Sequence, residues 1–211
     1  MTKRDFLRNE VLNLLGEKLK NFDFKLLKSD TSYINKTEFG WNKFTITFLL
    51  RDIGWIVRCG ALIRFDIVEN LFHQISDFDK KYQKGTPTIG TSIEDLGNSS
   101  TTPTRFELTN EIQINGVVSG LAELFENVAV PFFERYNKLS VIDEKLNSNT
   151  KDTSLTGDIF KGTKALITAK LTKRNNFDEL ATIYHSYYEN FADGFYLPEY
   201  LRLKELLKSY A

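Results

Sequence analysis

The chain has 211 residues, 41% of them hydrophobic, which suits one large domain with its own core. Its 28 basic side chains balance 28 acidic ones, so no global field gathers nucleic acid or an anionic membrane, and neither is an expected partner. The single cysteine, Cys59, excludes an intramolecular disulfide, and Met-Thr-Lys-Arg-Asp leads into an amphipathic helix instead of a signal core, so the expected compartment is the cytoplasm.

Charge is unevenly spread. Residues 1–66 carry 12 basic and 8 acidic side chains, 67–160 carry 8 and 14, and 161–211 carry 8 and 6. Complementary faces of one fold account for such a pattern. Nineteen lysines and sixteen asparagines beside abundant Ile and Phe point to an AT-rich bacterial genome. The most apolar stretch, 44–65, is broken by Arg51, Asp52, Arg58 and Arg64 and falls short of a membrane span.

In chain order, Thr2 with Asp5 forms a capping-box start, and Leu7, Val11, Leu14 and Leu15 recur at helical spacing to about residue 20. Short strands follow at 24–27 and 33–38. After Phe39-Gly40 the pattern alternates strictly. Phe44, Ile46, Phe48 and Leu50 share one face, Asp52-Ile53-Gly54 turns the chain, and the return strand puts Trp55, Val57, Cys59, Ala61, Ile63 and Phe65 on the same side. The opposite side, with Arg58, Gly60, Leu62 and Arg64, is either solvated or lines a groove.

Asp66 with Glu69 is read as the cap of a second helix bearing Ile67, Val68, Leu71 and Phe72. Residues 80–104 are polar, with a strand at 88–93 and a loose loop at 97–103. A short strand at 105–108 precedes a long helix, expected to be capped by Asn115, with Val117, Leu121, Leu124, Phe125 and Val128 inward and Pro131 ending or kinking it. Ser140 with Asp143 starts a helix to about 147, 148–157 reads as a polar linker, and helices follow at 158–173, 176–191 and 198–210. The expected fold is α+β: an antiparallel meander of four to six strands flanked by helices, with a domain over 1–147 and a helical extension over 158–211.

Few residues point to chemistry. Gly157 to Lys164 looks like a phosphate loop, but the order Gly162-Thr163-Lys164 displaces the lysine and no apolar strand precedes it. His73 and His185 have no second ligand at a recognised spacing, so no metal is expected, and no cofactor fingerprint occurs. Cys59 falls on an apolar strand face, where a thiol behaves as a small hydrophobe. Two groups remain as candidate binding residues. Arg51, Arg58 and Arg64 on the hairpin suit carboxylate or phosphate, and are equally explained by salt bridges to the acidic middle segment. Tyr184, Tyr187 and Tyr188 suit a partner surface, and are equally explained by helix packing.

The run 41–69, with Gly54-Trp55 and Arg64-Phe65-Asp66-Ile67-Val68-Glu69, and the run Ala129-Val130-Pro131-Phe132-Phe133-Glu134-Arg135-Tyr136, resemble small bacterial domain-of-unknown-function proteins with a helix ending in Pro-Phe-Phe. The resemblance covers 1–146 and brings no catalytic residues. Some proteins of similar size are immunity or accessory proteins of toxin and defence systems. It therefore implies a non-enzymatic protein-binding role, with a toxin or a second copy of the chain as partner. A ligand site or enzyme on the Arg58 and Arg64 face, and an oligomeric scaffold formed by the C-terminal aromatic helices, are the alternatives.

Overall fold

The computed structural model describes residues 2–96 and 101–210, so part of the expected 97–103 loop lies outside the described residues. Helix α1 (Lys3–Leu19) starts on the expected capping box, with Thr2 accepting from the Asp5 backbone N–H and the Asp5 side chain accepting in return. Leu7, Val11, Leu12, Leu15 and Leu19 are its buried stripe, while Leu14 turns outward. A 3-10 turn ends at Asp23, which takes a left-handed φ of 59°, a conformation aspartate tolerates. Strands β1 (Lys25–Leu27), β2 (Ser32–Thr37), β3 (Gly40–Arg51) and β4 (Gly54–Phe65) then run as an antiparallel meander. Lys25 pairs with Ile34, and Ser32 with Thr45.

Helices α2 (Asp66–Phe72) and α3 (Lys80–Gln83), strands β5 (Ile89–Ser92) and β6 (Phe106–Leu108), and helices α4 (Ile114–Leu124), α5 (Val130–Arg135), α6 (Leu139–Asn147), α7 (Gly157–Leu171), α8 (Phe177–Asn190) and α9 (Leu197–Ser209) complete the chain. The sheet order is β1-β2-β3-β4-β5, and β6 pairs with the start of β4, Trp55 opposite Leu108. The expected α+β class with helical C-terminal elements is therefore the fold.

The hairpin faces sort as alternation demands. Phe44, Ile46, Val57, Cys59, Ala61 and Ile63 are buried. Leu50 and Ile53 leave the core because the hairpin tip outruns it, and Ile53 is 78% exposed. Burial, with Glu94 second, pushes the Cys59 thiol up to about 12, so it is chemically quiet. Gly54 is required where β6 crosses: a Cβ there would sit 2.5 Å from the Leu108 carbonyl oxygen, a backbone atom that cannot swing aside.

Three expected caps are replaced, one of them Ser140, which lies inside α6 after Lys138 at the N-cap. Asp66 is the first residue of α2, not its cap, because its carboxylate accepts from the Arg64 guanidinium at 2.6 Å. The long helix is entered through a 3-10 turn capped by Asn110 with Gln113 in reciprocal bonds, not by Asn115. Between α4 and α5 the chain makes a π turn over Phe125–Ala129, in which the Val130 N–H reaches back to the Phe125 carbonyl. The wider turn accommodates Pro131, whose nitrogen has no proton for an ordinary helical bond. It also advances the buried register by one residue, so Ala129 is buried where Val128 is expected. The continuous helix Glu111–Arg135 is long and apolar enough to cross a membrane, yet 56% of its most apolar window is buried within the fold, as in a core helix.

The chain forms two compact units: Met1–Ile63 with Gly90–Glu134, and Arg64–Ile89 with Arg135–Ala211. The division does not follow the boundaries expected at 147 and 158, since 64–89 and 135–147 join the C-terminal helices. In the first unit α1 packs on α4, and Phe125 receives Phe22, Phe24 and Phe44 edge-on at 5.0–5.2 Å. In the second, α7 packs against α2, α6, α8 and α9. The segment 148–157, read as a polar linker, is tied down: Asp152 binds Lys145 at 2.7 Å and Leu155 is buried.

Candidate functional site

The outer face of the β3–β4 hairpin is open. Arg58 projects from the middle of β4, Arg51 ends β3, and Arg105 precedes β6, which brings all three guanidinium groups to one cleft of about 430 Å³ with Leu49, Ile56 and Phe106. Arg58 also borders an adjoining trough of about 300 Å³ walled by Thr45, Thr47, Gly60, Thr91 and Ser92. This is the face of small residues, threonines and arginines that strand alternation places away from the core.

The charges there are ordered by one acid. Glu94, on a 3-10 turn after β5, accepts from Arg58 Nε and Nη2 at 2.6 Å each and from Arg105 Nε and Nη2 at 3.1 and 2.9 Å. Two bidentate forks on one carboxylate are the strongest geometry such pairs offer. Arg105 first, and Arg58 after it, hold the Glu94 carboxyl down to about 2. Arg51 is exposed, and among the described residues no ion pair reaches it. Glu107 also lines the cleft, and among the described residues the fork that no carboxylate occupies belongs to Arg51.

Arg105 and Glu94 escape a sequence reading because their partners lie 11 and 36 residues away, with no local spacing to betray them. Arg64 departs from expectation in the other direction. Six residues along a strand separate it from Arg58 by roughly 20 Å, and its guanidinium is buried in the second unit. There it binds Asp66, the carbonyls of Gln83 and Thr86 at 2.7 and 2.8 Å, and Thr86 Oγ1 at 3.0 Å. It has no free fork for a ligand.

The tyrosines are likewise used internally. Tyr184 donates to Asn147 Oδ1 at 2.9 Å, and Tyr188 donates to the Ile159 carbonyl while accepting from the Gly162 and Thr163 N–H groups. Both are fully buried, so neither presents a partner surface. Tyr187, partly exposed, donates to the Asp158 carbonyl. Gly162 is what lets α8 approach: a Cβ there would stand 2.6 Å from the Tyr188 ring. The apparent phosphate loop is thus the buried face of α7.

Below Arg64 lies a buried ionic network. Glu69 Oε1 meets Lys164 Nζ at 3.0 Å and Thr88 Oγ1 at 3.0 Å, and Glu69 Oε2 accepts from Thr86 Oγ1 at 2.8 Å. Lys164 also donates to the Pro87 carbonyl. His73 bridges Thr86 and Ser76, and desolvation lowers its pKa, with Glu69 acting in the opposite direction. His185 lies 3.7 Å from Glu189 and is tilted over the Tyr200 ring at 6.3 Å. Among the described residues no group of three or more His, Cys, Asp or Glu side chains is placed to hold a metal ion.

Lys161 gives a pH prediction. Its buried ammonium is held by the carbonyls of Leu146 and Asn149, and desolvation brings it down to about 8 from 10.5. The unfolded chain therefore binds the extra proton between these values, and stability rises with pH there. Because the raised Cys59 thiol acts oppositely in both proteins, unfolding free energy measured from pH 8 to about 9.5 should gain more, or lose less, in the parent protein than in Lys161→Met; parallel curves would contradict this.

No family model, curated protein or solved structure matches this chain.

Proposed function

We propose that the chain is a non-enzymatic binding protein that takes an acidic surface of a protein partner on the outer face of its hairpin. The observation that carries the proposal is the convergence of Arg51, Arg58 and Arg105 on one open cleft, with an internal carboxylate already seated in two of the three forks. Glu94 is a bound model of the side chain the site recognises: carboxylate on planar guanidinium, two bonds per fork. The threonine-lined trough beside it extends the contact area along the strands with small, hydrogen-bonding groups.

An immunity-type inhibitor of a bacterial toxin, or an accessory protein of a defence system, is the narrower form of this proposal. It rests on the resemblance of 41–69 and 129–136 to a bacterial domain-of-unknown-function family, since some proteins of similar size are immunity or accessory proteins. A neutral chain lacks the strong acidity that steers inhibitors to cationic nucleases, so a toxin with an acidic docking surface suits it better. The scaffold alternative cannot use Tyr184 and Tyr188, which are buried, and would rest on outer rings such as Phe195.

The test is affinity capture by the intact chain from its own host, with Arg51→Glu alongside. A stoichiometric partner should be retained by the parent protein and lost by Arg51→Glu, an exposed substitution that leaves the fold intact. Glu94→Gln should retain that partner about tenfold more tightly by freeing both forks, a gain of about 1.4 kcal/mol. Capture that survives Arg51→Glu unchanged, or no stoichiometric partner at all, removes the proposal. Turnover of a small anion that depends on Arg51 would favour the ligand-site alternative.

A further inference from the structure

The second compact unit has a groove of its own, built without the hairpin arginines. It holds about 520 Å³, in the range of about 300–1,000 Å³ usual for small-molecule sites. Phe78 and Phe160 line it with centroids 6.0 Å apart, and both rest on buried Phe72, at 6.2 and 5.7 Å. Phe195 and Tyr196 complete a set of four rings, meeting edge-on at 5.0 Å, and Tyr196 is backed by Phe191 at 5.8 Å.

The backbone that carries Phe195 is unusual. Ala192, Asp193 and Gly194 are successive left-handed residues, with φ of 51°, 52° and 78°. Aspartate and glycine tolerate this conformation, but the Cβ of Ala192 disfavours it. The run leaves Phe195 76% exposed at the groove edge. Strain stored where a ring is presented is the pattern of a ligand clamp.

Polar groups at the groove are Asp77, Glu199 and Arg202. Arg202 is committed to the Ile75 carbonyl, with Nε at 3.2 Å and Nη2 at 2.9 Å, and reaches Asp77 only at 3.5 Å. Glu199 is half-buried, and burial raises its pKa, so its carboxylate sits in a medium that solvates it poorly. Two carboxylates against one guanidinium leave the groove net negative.

We propose that this groove binds a small organic cation, an alkylammonium whose apolar substituents lie against the four rings and whose charge faces Glu199 and Asp77. Aromatic faces attract cations, and the attraction grows as water is excluded. A neutral ligand would strip water from Glu199 and return nothing, while an anion would meet the wrong sign. The same unit already uses this chemistry: the Lys164 ammonium lies 5.4 Å from the ring centroids of Phe72 and Phe160.

The test titrates the intact chain, followed by aromatic NMR signals, with choline and with 3,3-dimethylbutan-1-ol, which replaces the quaternary nitrogen by carbon. Choline should bind at least about tenfold more tightly. Phe195→Ala, at an exposed position, should weaken choline binding severalfold, and Glu199→Gln should bring the two ligands close to parity. If Glu199→Gln does not fold, Asp77→Asn, at a position 92% exposed, carries the charge test. Equal affinity for the two ligands, indifference to these substitutions, or no saturable shift overturns the proposal. Arg51→Glu should leave choline binding unchanged, so this result and the hairpin proposal stand or fall separately.

Discussion

Glu69→Ala should lower the unfolding free energy by about 3–5 kcal/mol, read as a drop in the urea midpoint at unchanged slope. Glu69 is fully buried, and its carboxylate is the only acid within ion-pair distance of Lys164 among the described residues. Removing it leaves an ammonium inside the second unit with the Pro87 carbonyl and two aromatic rings for company. Thr86 and Thr88 each lose one acceptor as well, keeping the carbonyls of Gln83 and Phe65. Against a typical total of about 5–15 kcal/mol, the loss is a large share. Desolvation already lowers the Lys164 pKa, so part of the cost is escaped by losing the proton, and the deficit should shrink as pH rises. Glu69→Leu combined with Lys164→Met should recover most of the stability, because the pair's attraction chiefly offsets its own desolvation. A single substitution costing under about 1 kcal/mol would show that the network is not closed to water.

Phe125→Ala should cost about 3–5 kcal/mol in the same assay. Phe125 is fully buried and receives three rings edge-on, contacts each worth about 0.5–1.5 kcal/mol beyond their buried area. The cavity would open at the start of the π turn, where the helix has already given up one ordinary bond, so the segment is poorly placed to collapse into it. Phe125→Leu should cost clearly less. Equal losses for Ala and Leu would mean that ring geometry, and not volume, governs the site.

The hairpin was readable because period two has one meaning: a residue on the wrong face would invert every neighbour, and Phe44 to Ile63 obey it. Helix α1 was readable from Thr2 and Asp5 for a similar reason, since both partners of the cap lie within three residues. The long helix was only half readable. Val128 falls on the inward face of an ideal helix, and nothing before Pro131 announces a π turn that moves the inward position to Ala129. The candidate site was legible in the same uneven way. Arg51 and Arg58 follow from strand alternation, but Arg105 and Glu94 reach the cleft through tertiary contacts that no short spacing encodes. Arg64 shares the alternation of Arg58 yet is taken up by Asp66 and the carbonyls of Gln83 and Thr86, partners that no spacing announces. For Tyr184 and Tyr188 the sequence leaves packing and partner surface both open, and it is Gly162, twenty-two and twenty-six residues earlier, that admits them to the core.

The interleaving of the two units has a genetic consequence. The polypeptide passes from one to the other after Ile63, after Ile89 and after Glu134, so each is assembled from separated stretches of the gene. A stop codon near 147 would not release a self-sufficient amino-terminal module. It would strand α2 and α6 without α7, the helix both pack against, and lay Val68, Leu71, Phe72 and Ile142 open to water. Recombination that moves a contiguous block cannot carry either unit alone, and the two are inherited together.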